Sequence, residues 1–145
     1  MLIAIGDSVS FTKTITEDDV AAFVAISGDD YEAHTDDAFM ARSSFGKRIV
    51  HGALLVGLMS AAGTRRIRLM QQRGDTSVPV ALGYDRLRFT APAFIGDAVT
   101  VTYRVTGLDP VRLRSTADLI ATNQTDATVA VGEHVMKWLA APEAK

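Results

Sequence analysis

The amino-acid sequence predicts an α+β fold: one domain in which an antiparallel sheet packs on a single long helix. Three observations carry this. Across residues 52–70, Leu54, Leu55, Leu58, Met59 and Ala62 recur at spacings of three and four, the period of a helix with one buried face. Val99, Val101, Tyr103 and Val105 alternate with Thr100, Thr102 and Arg104, the period of a half-buried strand. The helical patterns come first and the strand patterns follow in a run, an order that suits segregated helices and strands.

Taken in order, Val9, Phe11 and Ile15 predict a short first strand or extended arm. Thr16-Glu17-Asp18-Asp19 reads as a helix start, a hydroxyl N-cap followed by acids at the positive end of the helix dipole. Val20, Phe23 and Val24 give that helix an apolar face, and Ser27-Gly28 closes it. Residues 29–35 are polar and predict a loop. Asp36-Asp37 opens a short helix through Ala41, and Gly46 breaks the chain before the long helix, whose polar end is Thr64-Arg65-Arg66. Beyond Gly74-Asp75 the pattern turns to strands at residues 86–90, 99–105, 111–122 and 128–138, the last two divided by Asn123-Gln124-Thr125-Asp126. Four consecutive antiparallel strands around turns are expected. With no repeat and no low-complexity stretch, residues 1–145 read as one domain, with residues 140–145 a frayed tail.

Composition narrows the function classes. Hydrophobic residues make up 48% of the chain, enough for a core and too many for disorder. Lys and Arg number 15 against 17 Asp and Glu, and the densest basic cluster is Arg65, Arg66 and Arg68, so a nucleic-acid partner is not expected. The absence of cysteine removes disulfides, thiolate metal sites and a cysteine nucleophile. The uncharged stretch at residues 49–63 falls short of the roughly 20 apolar residues a spanning helix needs, so no membrane partner is expected. Met1-Leu2-Ile3-Ala4-Ile5 is too short for a signal h-region and lacks a basic start, and the expected compartment is the cytoplasm.

Two stretches carry chemistry. In Ser27-Gly28-Asp29-Asp30-Tyr31-Glu32-Ala33-His34, a carboxylate and an imidazole stand five residues apart directly after a helix end. Asp29 and His34 together suit general acid–base work, although a capped helix followed by a solvated acidic loop would read the same way. In Phe45-Gly46-Lys47-Arg48-Ile49-Val50-His51-Gly52, the chain runs straight into the apolar helix. A helix starting at Gly52 presents unpaired backbone N–H groups, suited to a carbonyl oxygen gaining negative charge, and glycine lets a ligand approach closely. A tight entry into a core helix would use the same residues. His134, mid-strand in Gly132-Glu133-His134-Val135, reads as structural.

Taken together the two stretches resemble one family. Phe23, Ser27-Gly28-Asp29 and His34, then Asp36, Phe39, Ala41, Phe45-Gly46 and Ile49-Val50-His51-Gly52, are similar to the motif of the MaoC-like (R)-specific enoyl-CoA hydratases. Downstream, Arg88-Phe89, Pro92, Gly96-Asp97 and Val99 resemble that family's central strand pair, so the likeness runs from about Gly6 to Trp138. The resemblance implies a hot-dog fold, with a curled antiparallel sheet wrapped around one long central helix, in a homodimer whose two sheets join. It implies hydration of a trans-2-enoyl thioester to the (R)-3-hydroxyacyl form, or the reverse dehydration, on a coenzyme A or acyl-carrier-protein substrate. Asp29 and His34 would act on the water, and the Gly52 backbone N–H would meet the thioester oxygen. Ser60 falls where some members carry a site serine, but on a regular helix it lies about 12 Å along the axis from Gly52, which makes it a supporting residue. No cofactor is expected and no metal, since His34 and His51 alone flank the acids.

The chain departs from the family at one place. Where the family loop usually reads Asp-x-Asn-Pro-x-His, this sequence has Tyr31-Glu32 in place of Asn-Pro. Loss of the proline removes a stiffening element from the loop that aims the histidine, and Glu32 adds a third carboxylate. Two other readings stay open at this point: a hot-dog acyl thioesterase, against which the paired His34 argues, and a non-catalytic acyl-thioester-binding subunit, which the altered loop favours.

Overall fold

Strand β1 (Ser8–Thr14) leads into helix α1 (Glu17–Ser27), and a capping box fixes the junction in the computed structural model, which describes residues 2–141. The Asp19 N–H donates to Thr16 Oγ1 at 3.2 Å and the Thr16 N–H donates to Asp19 Oδ2 at 2.9 Å, so two otherwise orphaned donors are satisfied reciprocally. At the other end Gly28 adopts the left-handed conformation (φ 76°) and returns its N–H to the Val24 carbonyl at 2.8 Å. The predicted start and stop of this helix are both correct.

Residues 29–35 are not the uniform loop expected. They hold a single helical turn, α2 (Glu32–Thr35), followed by α3 (Asp37–Met40), which Asp36 caps by accepting from the Phe39 N–H at 2.8 Å. The Thr35 hydroxyl donates to the Asp30 and Tyr31 carbonyls at 2.9 and 3.2 Å. Helical hydrogen bonding therefore orders the segment in which the family's proline is missing.

Helix α4 (Gly52–Gln72) buries Leu54, Leu55, Leu58, Met59, Ala62 and Met70 on one face. The expected polar end is only partly polar: Arg66 is 3% exposed and pairs with Asp7, tying the helix to the segment before β1. Four further strands follow: β2 (Val78–Phe89), β3 (Ala98–Asp109), β4 (Arg114–Thr122) and β5 (Thr128–Leu139). Val99, Val101, Tyr103 and Val105 are all buried, as their alternation predicts. Residues 142–145, most of the expected tail, lie outside the described residues.

The sheet order is β1-β3-β4-β5-β2, antiparallel throughout. Two expectations are corrected here. Of the four later strands, β3, β4 and β5 pair in consecutive order, but β2 does not join that run: it skips β3 and pairs with β5, while β3 takes β1 as its outer neighbour. Nor is the sheet curled and wrapped around the helix. It is an open five-stranded sheet whose edge strands, β1 and β2, lie at opposite ends, and α4 packs on one face, mainly against β3 and β1. Closing it would require β1 and β2 to pair, and the described residues contain no such ladder. The hot-dog arrangement of long helix on antiparallel sheet stands without that closure. Among the described residues no helix is long and apolar enough to cross a membrane.

Candidate active site

The chain between α1 and α4 folds back over the start of α4, and backbone bonds hold it there. The Ile49 N–H donates to the Ala33 carbonyl at 3.1 Å, and the Val50 N–H to the Ala93 carbonyl at 2.7 Å. Arg48 reinforces the fold-back. Its Nη1 donates to the His34 carbonyl at 3.3 Å, its Nε to Asp37 at 2.7 Å, and its Nη2 pairs with Glu17. The Asp37 and Glu17 carboxylates hold its guanidinium pKa above the ordinary value.

These contacts bring together residues distant in sequence. Asp29, exposed just beyond the α1 C-cap, receives its orientation from its backbone: its N–H donates to Ser27 Oγ at 3.1 Å. His34, half-buried on α2, has Nδ1 2.8 Å from the Ile49 carbonyl. A carbonyl only accepts, so Nδ1 carries the hydrogen and Nε2 keeps a free lone pair in the neutral ring. His51 stacks on His34 with centroids 3.8 Å apart and planes 29° apart, and Phe23 packs against His51 at 4.7 Å. One ligand-capable atom each from Asp29, His34 and His51 lies within 4.8 Å of the others. This cluster is where a metal ion would find donors among the described residues.

Beside the cluster opens a cavity of about 370 Å³, lined by His34, Phe45, Ile49, Gly52, Leu55 and Phe89 among others. Gly52 is the first residue of α4, so its N–H precedes the helical ladder, and no acid occupies the first turn. Its lack of a side chain lets the Phe89 ring pack against it: a Cβ there would overlap that ring, which would have to shift. An apolar cavity flanked by a carboxylate, an imidazole with a free nitrogen and a helix N-terminus can hold an acyl chain, stabilise an oxyanion and move protons.

Of the residues singled out from sequence, Asp29, His34 and Gly52 converge here. Ser60 does not: it is exposed two turns further along α4, shares a hydrogen bond with the Tyr84 hydroxyl, and is absent from the cavity wall. His134 lies in the core against Tyr84 and Tyr103, at 4.8 and 5.8 Å between centroids. Sequence reasoning placed His51 in the motif and beside the acids but gave it no task in the site, and assigned nothing to Arg48, although both stand inside the stretch leading to Gly52. Of the unusual pair, Tyr31 meets His34 in a T-shaped arrangement with centroids 6.1 Å apart, and Glu32 is exposed at the start of α2.

An antiparallel sheet on one long helix, with an acid–imidazole pair at that helix's N-terminus, defines a hot-dog domain built for acid–base chemistry. The chain belongs to the MaoC like domain family, whose model matches residues 3–128. It is 33% identical over 135 residues to the (R)-specific enoyl-CoA hydratase of Aeromonas caviae, covering 93% of this chain and 95% of that protein. It is 40% identical over 106 residues to the (R)-specific enoyl-CoA hydratase of Rhodospirillum rubrum, covering 72% and 67%. Among solved structures, an (R)-hydratase from A. caviae involved in PHA biosynthesis superposes with a TM-score of 0.80 at 34% identity, covering 96% of this chain and 98% of that one.

Proposed function

We propose that this protein adds water to trans-2-enoyl thioesters to give (R)-3-hydroxyacyl thioesters, or runs the reverse dehydration. The observation that carries the reading is the Asp29–His34 pair beside an apolar cavity whose wall includes the Gly52 amide. The named relatives support the reaction class.

Each group has a distinct task. The Gly52 N–H donates to the thioester oxygen, which gains charge as the double bond is attacked at C3. His34 Nε2 takes a proton from the water as its oxygen bonds to C3, and the Asp29 carboxylate accepts from the water's other hydrogen and orients it. The proton taken at His34 is returned to C2, so the elements of water are added and the pair ends unchanged. The apolar residues around His34 and Leu55 receive the acyl chain, and the carrier is coenzyme A or acyl carrier protein. The cytoplasm is the proposed compartment, in keeping with thioester chemistry, and cell fractionation tests it.

A panel of enoyl thioesters differing in chain length and carrier, followed at the enone absorbance, tests the reading. Loss of absorbance with at least one member is expected. Unchanged absorbance across the whole panel contradicts it.

A further inference from the structure

His51 is 1% exposed and sits between the parts of the site. It is the N-cap of α4, immediately before Gly52, yet its side chain makes no capping bond. Instead Nε2 lies 2.9 Å from the Asp29 carbonyl oxygen, across 22 residues of sequence. That oxygen can only accept, so Nε2 carries the hydrogen and Nδ1 the lone pair in the neutral ring. Nδ1 is shut off from solvent with no hydrogen-bond partner. Its ring meanwhile stacks on His34 and packs against Phe23.

Packing alone does not account for an imidazole here. A phenyl ring would fill a similar space between Phe23 and His34 without burying an unsatisfied acceptor, which is destabilising. What the phenyl ring cannot supply is the donor to Asp29. We propose that His51 is a positioning residue of this site: its Nε2–H fixes the Asp29 peptide, and with it the carboxylate, while its ring face sets the plane of His34. The proposal rests on the reading of Asp29 and His34 as the acid–base pair. His51 is buried and is absent from the cavity wall, so it acts through those two residues.

The test compares two variants of the full-length chain. His51→Phe keeps a ring and removes the donor. His51→Gln gives up the ring but places an amide N–H near the position of Nε2. Misplacement of a reacting group by about 1 Å can cost about 100-fold in rate. We therefore expect kcat of His51→Phe to fall about tenfold to 100-fold with KM little changed, and His51→Gln to recover most of that loss. Backbone ¹⁵N heteronuclear NOEs, which need no turnover, should fall across residues 28–34 in His51→Phe and hold in His51→Gln. Should His51→Phe fail to fold, His51→Met takes its place, since Met matches Gln in length and lacks the donor.

Equal kcat and equal NOEs in the donor and non-donor variants would overturn the proposal, leaving His51 as packing only. A kcat at the wild-type level in His51→Phe would overturn it as well. If the wild-type chain turns over no enoyl thioester, it is the hydratase reading that fails, and the NOE comparison alone decides the positioning claim.

Discussion

Within the site, single atoms decide what each residue can do. His34 offers Nε2 to the cavity because Nδ1 is held by the Ile49 carbonyl, and that carbonyl is in place because the Ile49 N–H is bound to Ala33. At Gly52 the packing sets a steric limit. Gly52→Ala keeps the backbone amide but drives a methyl into the Phe89 ring, so we expect a folded protein with much reduced turnover, measured by initial rates beside circular dichroism. Turnover unchanged in Gly52→Ala would mean that the thioester does not approach this amide. In the core, His134 has two buried ring nitrogens without partners, and burial holds its pKa below the ordinary value of about 6.5. The unfolded chain therefore takes up this proton first as pH falls, and the folded state loses stability as pH drops below that ordinary value. Urea denaturation at pH 7 and pH 5 should show this loss in the wild type and a smaller one in His134→Leu. Equal losses would remove His134 from the account.

Among the elements, α1 matters beyond its own contacts, because Asp29 hangs from its C-cap. Thr16→Ala removes one arm of the capping box, which should cost about 1 kcal/mol and lower the melting temperature by a few degrees, read by calorimetry. An unchanged melting temperature would mean the cap contributes nothing. The same helix shows what the sequence makes legible. Its two ends, the span of α4 and the alternation of β3 are written in local patterns, since a cap needs a few neighbouring residues and a periodicity needs one window. Strand β2 is harder to read: Pro79 and Gly83 interrupt it, and two register shifts fall between Ala81 and Gly83 and between Asp85 and Arg88. Its pairing with β5 has no local signature, and an expectation built on neighbouring strands misses it. The site divides likewise. Asp29 and His34 are five residues apart and visible as a pair, whereas the bond from His51 to Asp29 exists only after the segment before α4 folds back.

For the whole molecule, the open sheet leaves β2 with a free edge, and Val78, Val80, Leu82 and Phe89 on that strand are exposed. An exposed apolar edge strand is a pairing surface, and a two-fold axis that joins two copies through it covers both edges at once. We expect sedimentation at micromolar concentration to give twice the 15.5 kDa chain mass, and Leu82→Lys to shift the protein toward monomer. A compact wild-type monomer would count against this arrangement. Phe89 ends the same strand and roofs Gly52, so pairing there would also steady one wall of the cavity. These features converge on Asp29 and His34, the pair proposed to add water to an enoyl thioester. The most direct test is the steady-state hydration rate of crotonyl-CoA by the wild type, Asp29→Asn and His34→Gln, each shown by circular dichroism to be folded. Removing a general acid or base costs about 10²–10⁴-fold, so both variants should fall by that order while the wild type yields the (R)-3-hydroxy product. Near-wild-type turnover in folded Asp29→Asn would contradict the account.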